Sequence, residues 1–216
     1  MGLSIVQVAV TGYDDNFSYL VYDVASKNAA IVDPCGDLDL ILETAQVYEL
    51  DIVGALVTHT HHDHIDKLDE LLRMYRVPVY VHESGVDAIV SSGQIQVVQD
   101  GSSISLGDFE ILVRHTPGHI DDAVCFYIDA KNAEDDIPKL VTGDTLFVEG
   151  CGRTNISGVR ALYESLQRLK ELPENTLVYT GHDYGSKPVS TIAWEKEHNK
   201  YFLAEDFEVF KKIRLG

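Results

Sequence analysis

The stretch Thr58-His59-Thr60-His61-His62-Asp63-His64 constrains this chain more than any other, because it packs four of the nine histidines and a carboxylate into seven residues. It directly follows the apolar run Ile52-Val53-Gly54-Ala55-Leu56-Val57, which reads as a buried strand. The histidines therefore leave the end of a strand, where α/β proteins commonly place their chemistry. In an extended or tightly turning segment, residues two apart point the same way, so His59 and His61 can converge on one cation. Asp63 and His64, a turn further on, can reach a second. Imidazole with carboxylate is the donor set of zinc, manganese or iron, whereas an all-oxygen shell would suit calcium or magnesium.

The rest of the chain must bury a core around that cluster, and 216 residues with 45% apolar content can do so as one domain or as one with a short appendage. No apolar window approaches the ~18 residues of a membrane span, and Met1-Gly2-Leu3-Ser4-Ile5 lacks the features of a secretory signal, so a cytoplasmic protein is expected. A formal charge of −18 argues against nucleic-acid and anionic-membrane partners. Cys35, Cys125 and Cys151 are odd in number and far apart, which fits reduced thiols rather than a disulfide framework.

Strand signals at Ser4 to Val10, Phe17 to Tyr22 and Asn28 to Val32, the first two joined by Gly12-Tyr13-Asp14-Asp15-Asn16, predict an antiparallel meander. Asp33-Pro34-Cys35-Gly36 breaks the last strand. Leu38, Ile41, Leu42 and Ala45 then predict an amphipathic helix, as do Leu68, Leu71, Leu72 and Tyr75 further on. A short strand at Val79 to Val81 and a short helix at Glu83 to Val90 follow. A second set of strands is expected to begin at Ile95 to Val98 and continue through Ile104 to Leu106, Phe109 to Val113, Ala123 to Ile128, Leu140-Val141 and Leu177 to Tyr179. A long helix at Val159 to Leu172 interrupts it, and helices at Ser190 to Asn199 and Glu205 to Lys212 close the chain. Strands interleaved with helices in both halves predict a four-layer αββα sandwich of two mixed sheets, with residues 1–184 as the main domain and 185–216 as a helical segment packed on it.

Three more loops begin where a strand stops: His115-Thr116-Pro117-Gly118-His119, Gly143-Asp144 and Gly181-His182-Asp183. With these loops, Thr142-Gly143-Asp144-Thr145-Leu146-Phe147, Gly150-Cys151-Gly152-Arg153 and Gly181-His182-Asp183-Tyr184, the sequence resembles the metallo-β-lactamase superfamily, within it the glyoxalase II and persulfide dioxygenase branch. The resemblance implies that His59, His61 and His119 hold one divalent ion, that Asp63, His64 and His182 hold a second, and that Asp144 bridges them, so that Asp63 and Asp144 serve catalysis. A hydroxide bridging the ions would attack an acyl carbonyl, and a thiolate leaving group with a pKa near ~8.5 needs no strong general acid.

Two activities share that resemblance. His-x-His-His-Asp-His and the Gly150 to Arg153 loop are similar to hydroxyacylglutathione hydrolases, which cleave a glutathione thioester over two ions, zinc foremost, with iron or manganese as alternatives. The chain departs from them in Thr154-Asn155-Ile156-Ser157-Gly158, where an aromatic-rich stretch is usual, and in lacking a longer helical extension after Gly216. Cys151-Gly152-Arg153-Thr154, His182-Asp183-Tyr184-Gly185 and Val189-Ser190-Thr191-Ile192, followed by Glu195, Lys196 and Asn199, are similar to persulfide dioxygenases, where one Fe(II) would sit on His59, His119 and Asp144. Those enzymes usually carry alanine at the position of His62. A lactone is a further possible substrate.

Arg153, Cys151 and Tyr184 are the candidate substrate contacts. Arg153 reads equally as a fork for a substrate carboxylate or a surface charge, Cys151 as a neighbour of the substrate sulfur or a small apolar filler, and Tyr184 as a hydrogen-bond donor or packing. The run Lys211-Lys212-Ile213-Arg214 reads as favourable charge at a helix C-terminus, or as a glutathione contact. The oligomeric state is open, with a homodimer as one option.

Overall fold

The computed structural model describes residues 1–10, 14–89 and 94–216. Gly12 and Tyr13 of the first predicted turn, and Val90 at the end of the predicted short helix, lie outside the described residues. Within them the elements run β1 (Leu3–Ala9), β2 (Phe17–Asp23), β3 (Asn28–Val32), α1 (Leu38–Val47), β4 (Asp51–Leu56), α2 (His62–Ile65), α3 (Leu68–Met74), β5 (Pro78–His82), a 3-10 turn (Glu83–Ala88), β6 (Gln94–Val98), β7 (Ser103–Leu106), β8 (Phe109–His115) and β9 (Val124–Ile128). After a 3-10 turn at Ala130–Asn132 come β10 (Lys139–Val141), β11 (Leu146–Phe147), β12 (Gly150–Cys151), α4 (Val159–Lys170), β13 (Leu177–Tyr179), β14 (Val189–Thr191), α5 (Ile192–His198) and α6 (Phe207–Leu215).

Two sheets form, in strand order β1-β2-β3-β4-β5-β6 and β14-β13-β10-β9-β8-β7, with β11 and β12 as a separate hairpin. The alternation of side chains explains how they stack. Along β9, Val124, Phe126 and Ile128 face the core between the sheets, while Cys125 and Tyr127 face a second core under α4, α5 and α6. Along β2, Phe17, Tyr19 and Val21 face inward, and Leu20 and Tyr22 face α1 and α3. Strands that are apolar on both faces belong in the middle of a layered sandwich. Three cores thus separate four layers, as the αββα expectation requires.

Strand direction places the site. β3, β4 and β5 are parallel, as are β10 and β13. β8 runs antiparallel to β9, and β9 antiparallel to β10, so β8, β10 and β13 share a direction. The chain leaves β3, β4, β8, β10 and β13 through the segments that carry Asp33, His59, His119, Asp144 and His182.

Two expectations need correction. Gln94–Val98 does not begin the second sheet but pairs in parallel with β5 as the last strand of the first; its side-chain alternation fixes its faces, not its neighbour. The helix expected from Ser190 starts at Ile192, because Val189–Thr191 pairs with β13 and the Thr191 hydroxyl accepts from Trp194 N to cap the helix. The hairpin β11/β12 is too short to announce itself by periodicity. All three cysteines are free and buried, and no helix among the described residues is long and apolar enough to cross a membrane. Phe126 is 1% exposed between the sheets; Phe126→Ala should lower the unfolding free energy by about 3–5 kcal/mol in denaturant titration, and a loss below about 1 kcal/mol would contradict the layering.

Candidate metal centre

Four imidazoles of the cluster, His59, His64, His119 and His182, turn one ring nitrogen to the protein frame and the other inward. His119 Nδ1 lies 2.7 Å from the carbonyl of Arg153, and His182 Nδ1 lies 2.6 Å from that of Asp14. His64 Nδ1 meets Asp33 Oδ2 at 2.9 Å, and His59 Nδ1 meets Thr58 Oγ1 at 3.1 Å. Asp33 in turn accepts from Thr58 N at 2.7 Å and from Thr58 Oγ1 at 2.5 Å. Its backbone has φ of +50°, a region unusual outside glycine that the surrounding structure must hold in place.

The inward-facing nitrogens approach one another closely. His61 Nδ1 and His119 Nε2 are 2.9 Å apart, and His64 Nε2 and His182 Nε2 are 3.2 Å apart. Two imidazoles on a tetrahedral ion at 2.0–2.1 Å would stand about 3.4 Å apart along the tetrahedral edge. The donor atoms of His59, His61 and His119 lie within 4.8 Å of one another, as do those of Asp63, His64 and His182. Asp144 spans the two groups. Its Oδ1 is 3.2 Å from His64 Nε2 and 3.3 Å from His182 Nε2, and its Oδ2 is 3.5 Å from His119 Nε2. Asp63 Oδ2 lies 3.5 Å from His182 Nε2 and receives a hydrogen bond from Asn16 Nδ2 at 3.2 Å.

Buried His59 Nε2 and Asp144 Oδ1 have no hydrogen-bond partner, which is costly unless an ion takes that place. The donor set and these orphaned atoms fit two divalent ions. Asp33, His59 and His64 also lie close together, but Asp33 faces the Nδ1 side of His64 and so orients a ligand rather than replacing one.

Electrostatics divide the cluster. Burial lowers His59 well below the ordinary histidine range and lowers His119 as well. Burial also opposes charge on His64, but the carboxylates of Asp144 and Asp33 outweigh it and push this group up to about 10. His182 is raised, because Asp144 outweighs its burial. Burial pushes Asp144 up, yet the imidazoles of His182 and His64 hold it well below the carboxylate range.

The centre opens into a cleft of about 220 Å³ lined by Asp14, His61, Asp63, His119, Asp144, Phe147, Arg153, His182 and Tyr184. Tyr184 stacks on His182, with centroids 4.7 Å apart and planes 3° apart, and its hydroxyl donates to the Asp14 carboxylate. Cys151 does not line the cleft: it is buried among Leu146, Tyr201 and Phe210, and burial pushes its thiol up to about 12. That environment is the apolar-filler one. A larger groove of about 570 Å³, between α1 and β4, is lined by Asp39, Glu43, Glu49 and Asp51 among others and contains none of these ligand groups.

The sequence matches the metallo-beta-lactamase superfamily over residues 11–182. This chain belongs to that superfamily. It is similar to the probable polyketide biosynthesis zinc-dependent hydrolase PksB of Bacillus subtilis (strain 168), at 31% identity over 203 residues, 92% of this chain and 87% of that one. It is 36% identical over 176 residues to a hydroxyacylglutathione hydrolase of Hahella chejuensis, covering 81% of this chain and 64% of the relative, just under two thirds. Among solved structures, ETHE1 from Myxococcus xanthus superposes with a TM-score of 0.85 at 31% identity, covering 99% of this chain and 90% of that one. TTHA1623 in a di-iron-bound form superposes with a TM-score of 0.75 at 26% identity, covering 91% and 99%. The superfamily member described here is a metallo-hydrolase, and its groups of ligating side chains fit divalent ions.

Sequence reading missed Asp33, Asn16, Asp14 and Phe147. Asp33 did carry a signal, since it ends a strand as the other acidic ligands do, but it was absorbed into a strand-breaking Asp-Pro. Asp144→Asn should abolish turnover and weaken metal retention in dialysis against a chelator, because the anion shared by two cations is lost; a fully active variant would contradict the assignment. A ligand must shed its proton to bind metal, and His64, held at about 10, carries one at neutral pH in the metal-free protein. Loading zinc in weak buffer at pH 7 should therefore release protons, and affinity should rise with pH up to about 10. The stability His64 lends the metal-free protein should be complete below its ordinary pKa of about 6.5 and disappear as pH rises through about 10. A pH-independent affinity would contradict this.

Proposed function

We propose that the chain hydrolyses a thioester of the hydroxyacylglutathione type at a two-metal centre, with zinc as the ion the histidine-rich donor set suits best. The observation that carries this reading is the position of Asp144, with one oxygen toward His64 and His182 and the other toward His119. When bound, two divalent ions supply a hydroxide nucleophile near neutral pH and Lewis acidity for the acyl carbonyl.

The protein's own part is placement. Asp33, the Asp14 and Arg153 carbonyls and Thr58 hold the four buried or half-buried imidazoles with their free nitrogens inward. Phe147 and Tyr184 form an aromatic wall, with ring centroids 5.1 Å apart, against which an acyl group can lie. Arg153, on the cleft lining, can meet a carboxylate of the thiol portion. The cleft admits the acyl group and sulfur, so the remainder of the thiol would cross the open rim. A glutathione-type thiol fits the names of relatives such as the Hahella hydrolase, and free thiols at Cys35, Cys125 and Cys151 suit a cytoplasmic location.

Likeness to ETHE1 supports a second reading, persulfide dioxygenation with a single Fe(II) on His59, His119 and Asp144. The complete Asp63, His64 and His182 group supports the first. Protein loaded with two equivalents of zinc or manganese should hydrolyse lactoylglutathione, followed by loss of thioester absorbance. No turnover under any metal loading, together with oxygen uptake when iron-loaded protein meets glutathione persulfide, would reverse the assignment.

A further inference from the structure

We propose that Arg214, on the last turn of α6, is a positioning residue for the metal held by His119. The proposal rests on the two-ion reading of the site. Arg214 does not line the cleft; its Nε donates to the carbonyl of Gly152 at 2.9 Å. The next carbonyl along the chain, that of Arg153, accepts from His119 Nδ1 at 2.7 Å. Two consecutive peptide units, joined at Arg153 Cα, therefore link the C-terminal helix to His119.

The flanking residues are anchored, Gly150 by Asn199 Nδ2 on its carbonyl at 2.9 Å and Thr154 by its hydroxyl on the Gly118 carbonyl, and the Gly152 peptide lies between them. β11 and β12 pair over only two residues each, and Gly152 N reaches Thr145 O at a long 3.4 Å. Gly152 also packs flat against the centre: a Cβ there would collide with the Asp144 carbonyl and stand 3.0 Å from His119 Cγ. A tilt of the Gly152 carbonyl presses on the backbone of Asp144 or, carried through Arg153 Cα, shifts the carbonyl that accepts from His119. Arg214 fixes the Gly152 carbonyl from the far side, and α6 is a firm base because Phe210 is fully buried and packs on Tyr163 and Tyr201. The guanidinium also lies 6.0 Å from the Tyr201 ring centroid. Hydrogen-bond partners of this kind tune metal affinity by fixing the ring nitrogen that faces the ion.

The test is a zinc titration against a competing chelator, resolving two binding steps, on wild type, Arg214→Ala and Arg214→Lys. Lys196→Ala, which removes an exposed ion pair with Glu174, is the control and should match wild type. Arg214→Ala should weaken one step by about tenfold and leave the other within about twofold. Arg214→Lys, which keeps the charge but not the directed Nε donor, should recover part of the loss. In a His119→Ala background, Arg214→Ala should add less than about twofold, since the path it acts through is already cut. If circular dichroism shows metal-free Arg214→Ala to be unfolded, the same criterion is applied to Arg214→Lys against wild type. Two unchanged steps, two equally weakened steps, or an undiminished effect without His119 would overturn the proposal. Wild-type protein that fails to take up two ions would overturn the site reading and the brace with it.

Discussion

The structure depends on electron pairs turned toward one another. Inward-facing ring nitrogens at 2.9 and 3.2 Å can share a proton pairwise, but the buried imidazole nitrogen of His59 beside them has no partner. A proton serves one pair at a time, as on the elevated His64. Divalent ions would engage the whole set at once. The fold therefore has to hold these groups together, and it does so by fastening His59, His64, His119 and His182 through the ring nitrogen that faces away from the others.

The architecture makes that fastening possible. Parallel strands deliver their C-terminal ends to one edge of the sandwich, so loops far apart in sequence meet without long excursions. Inter-sheet packing sets the spacing of the two rows of loops, and cross-links then lock them: Phe17 N to the Gly181 carbonyl at 2.9 Å and the Tyr19 hydroxyl to the Thr180 carbonyl at 2.5 Å. The second sheet thus supplies the loop that carries His182, and the first sheet holds it in place.

Much of this was legible in the chain. Side-chain period fixed the faces of β2 and β9, and the habit of placing His or Asp just past an apolar run marked His59, His119, Asp144 and His182. What escaped had physical reasons. Period 2 tells which face a residue occupies but not which strand lies beside it, so Gln94–Val98 was assigned to the wrong sheet. Backbone carbonyls accept from His119 and His182, and a carbonyl has no residue signature. The charge at Arg214 suggested either a helix end or a ligand contact, while its partner is a peptide bond.

The order of fastening also bears on chemistry. His59 and His64 are almost fully enclosed, and their partners Thr58 and Asp33 are buried side chains. His61, His119, Asp63 and Asp144 face the cleft, and the partner of His119 is a loop carbonyl one residue beyond Gly152. A buried side-chain partner resists displacement because freeing it leaves an uncompensated polar group. A loop carbonyl can shift by small backbone rotations at lower cost. The imidazoles with buried side-chain partners therefore lie at the back of the centre, and those held by carbonyls, His119 and His182, line the cleft. The loop that bears the partner of His119 also bears Arg153 on the cleft lining, so a substrate group drawn to that guanidinium would act beside the carbonyl that sets the His119 ring.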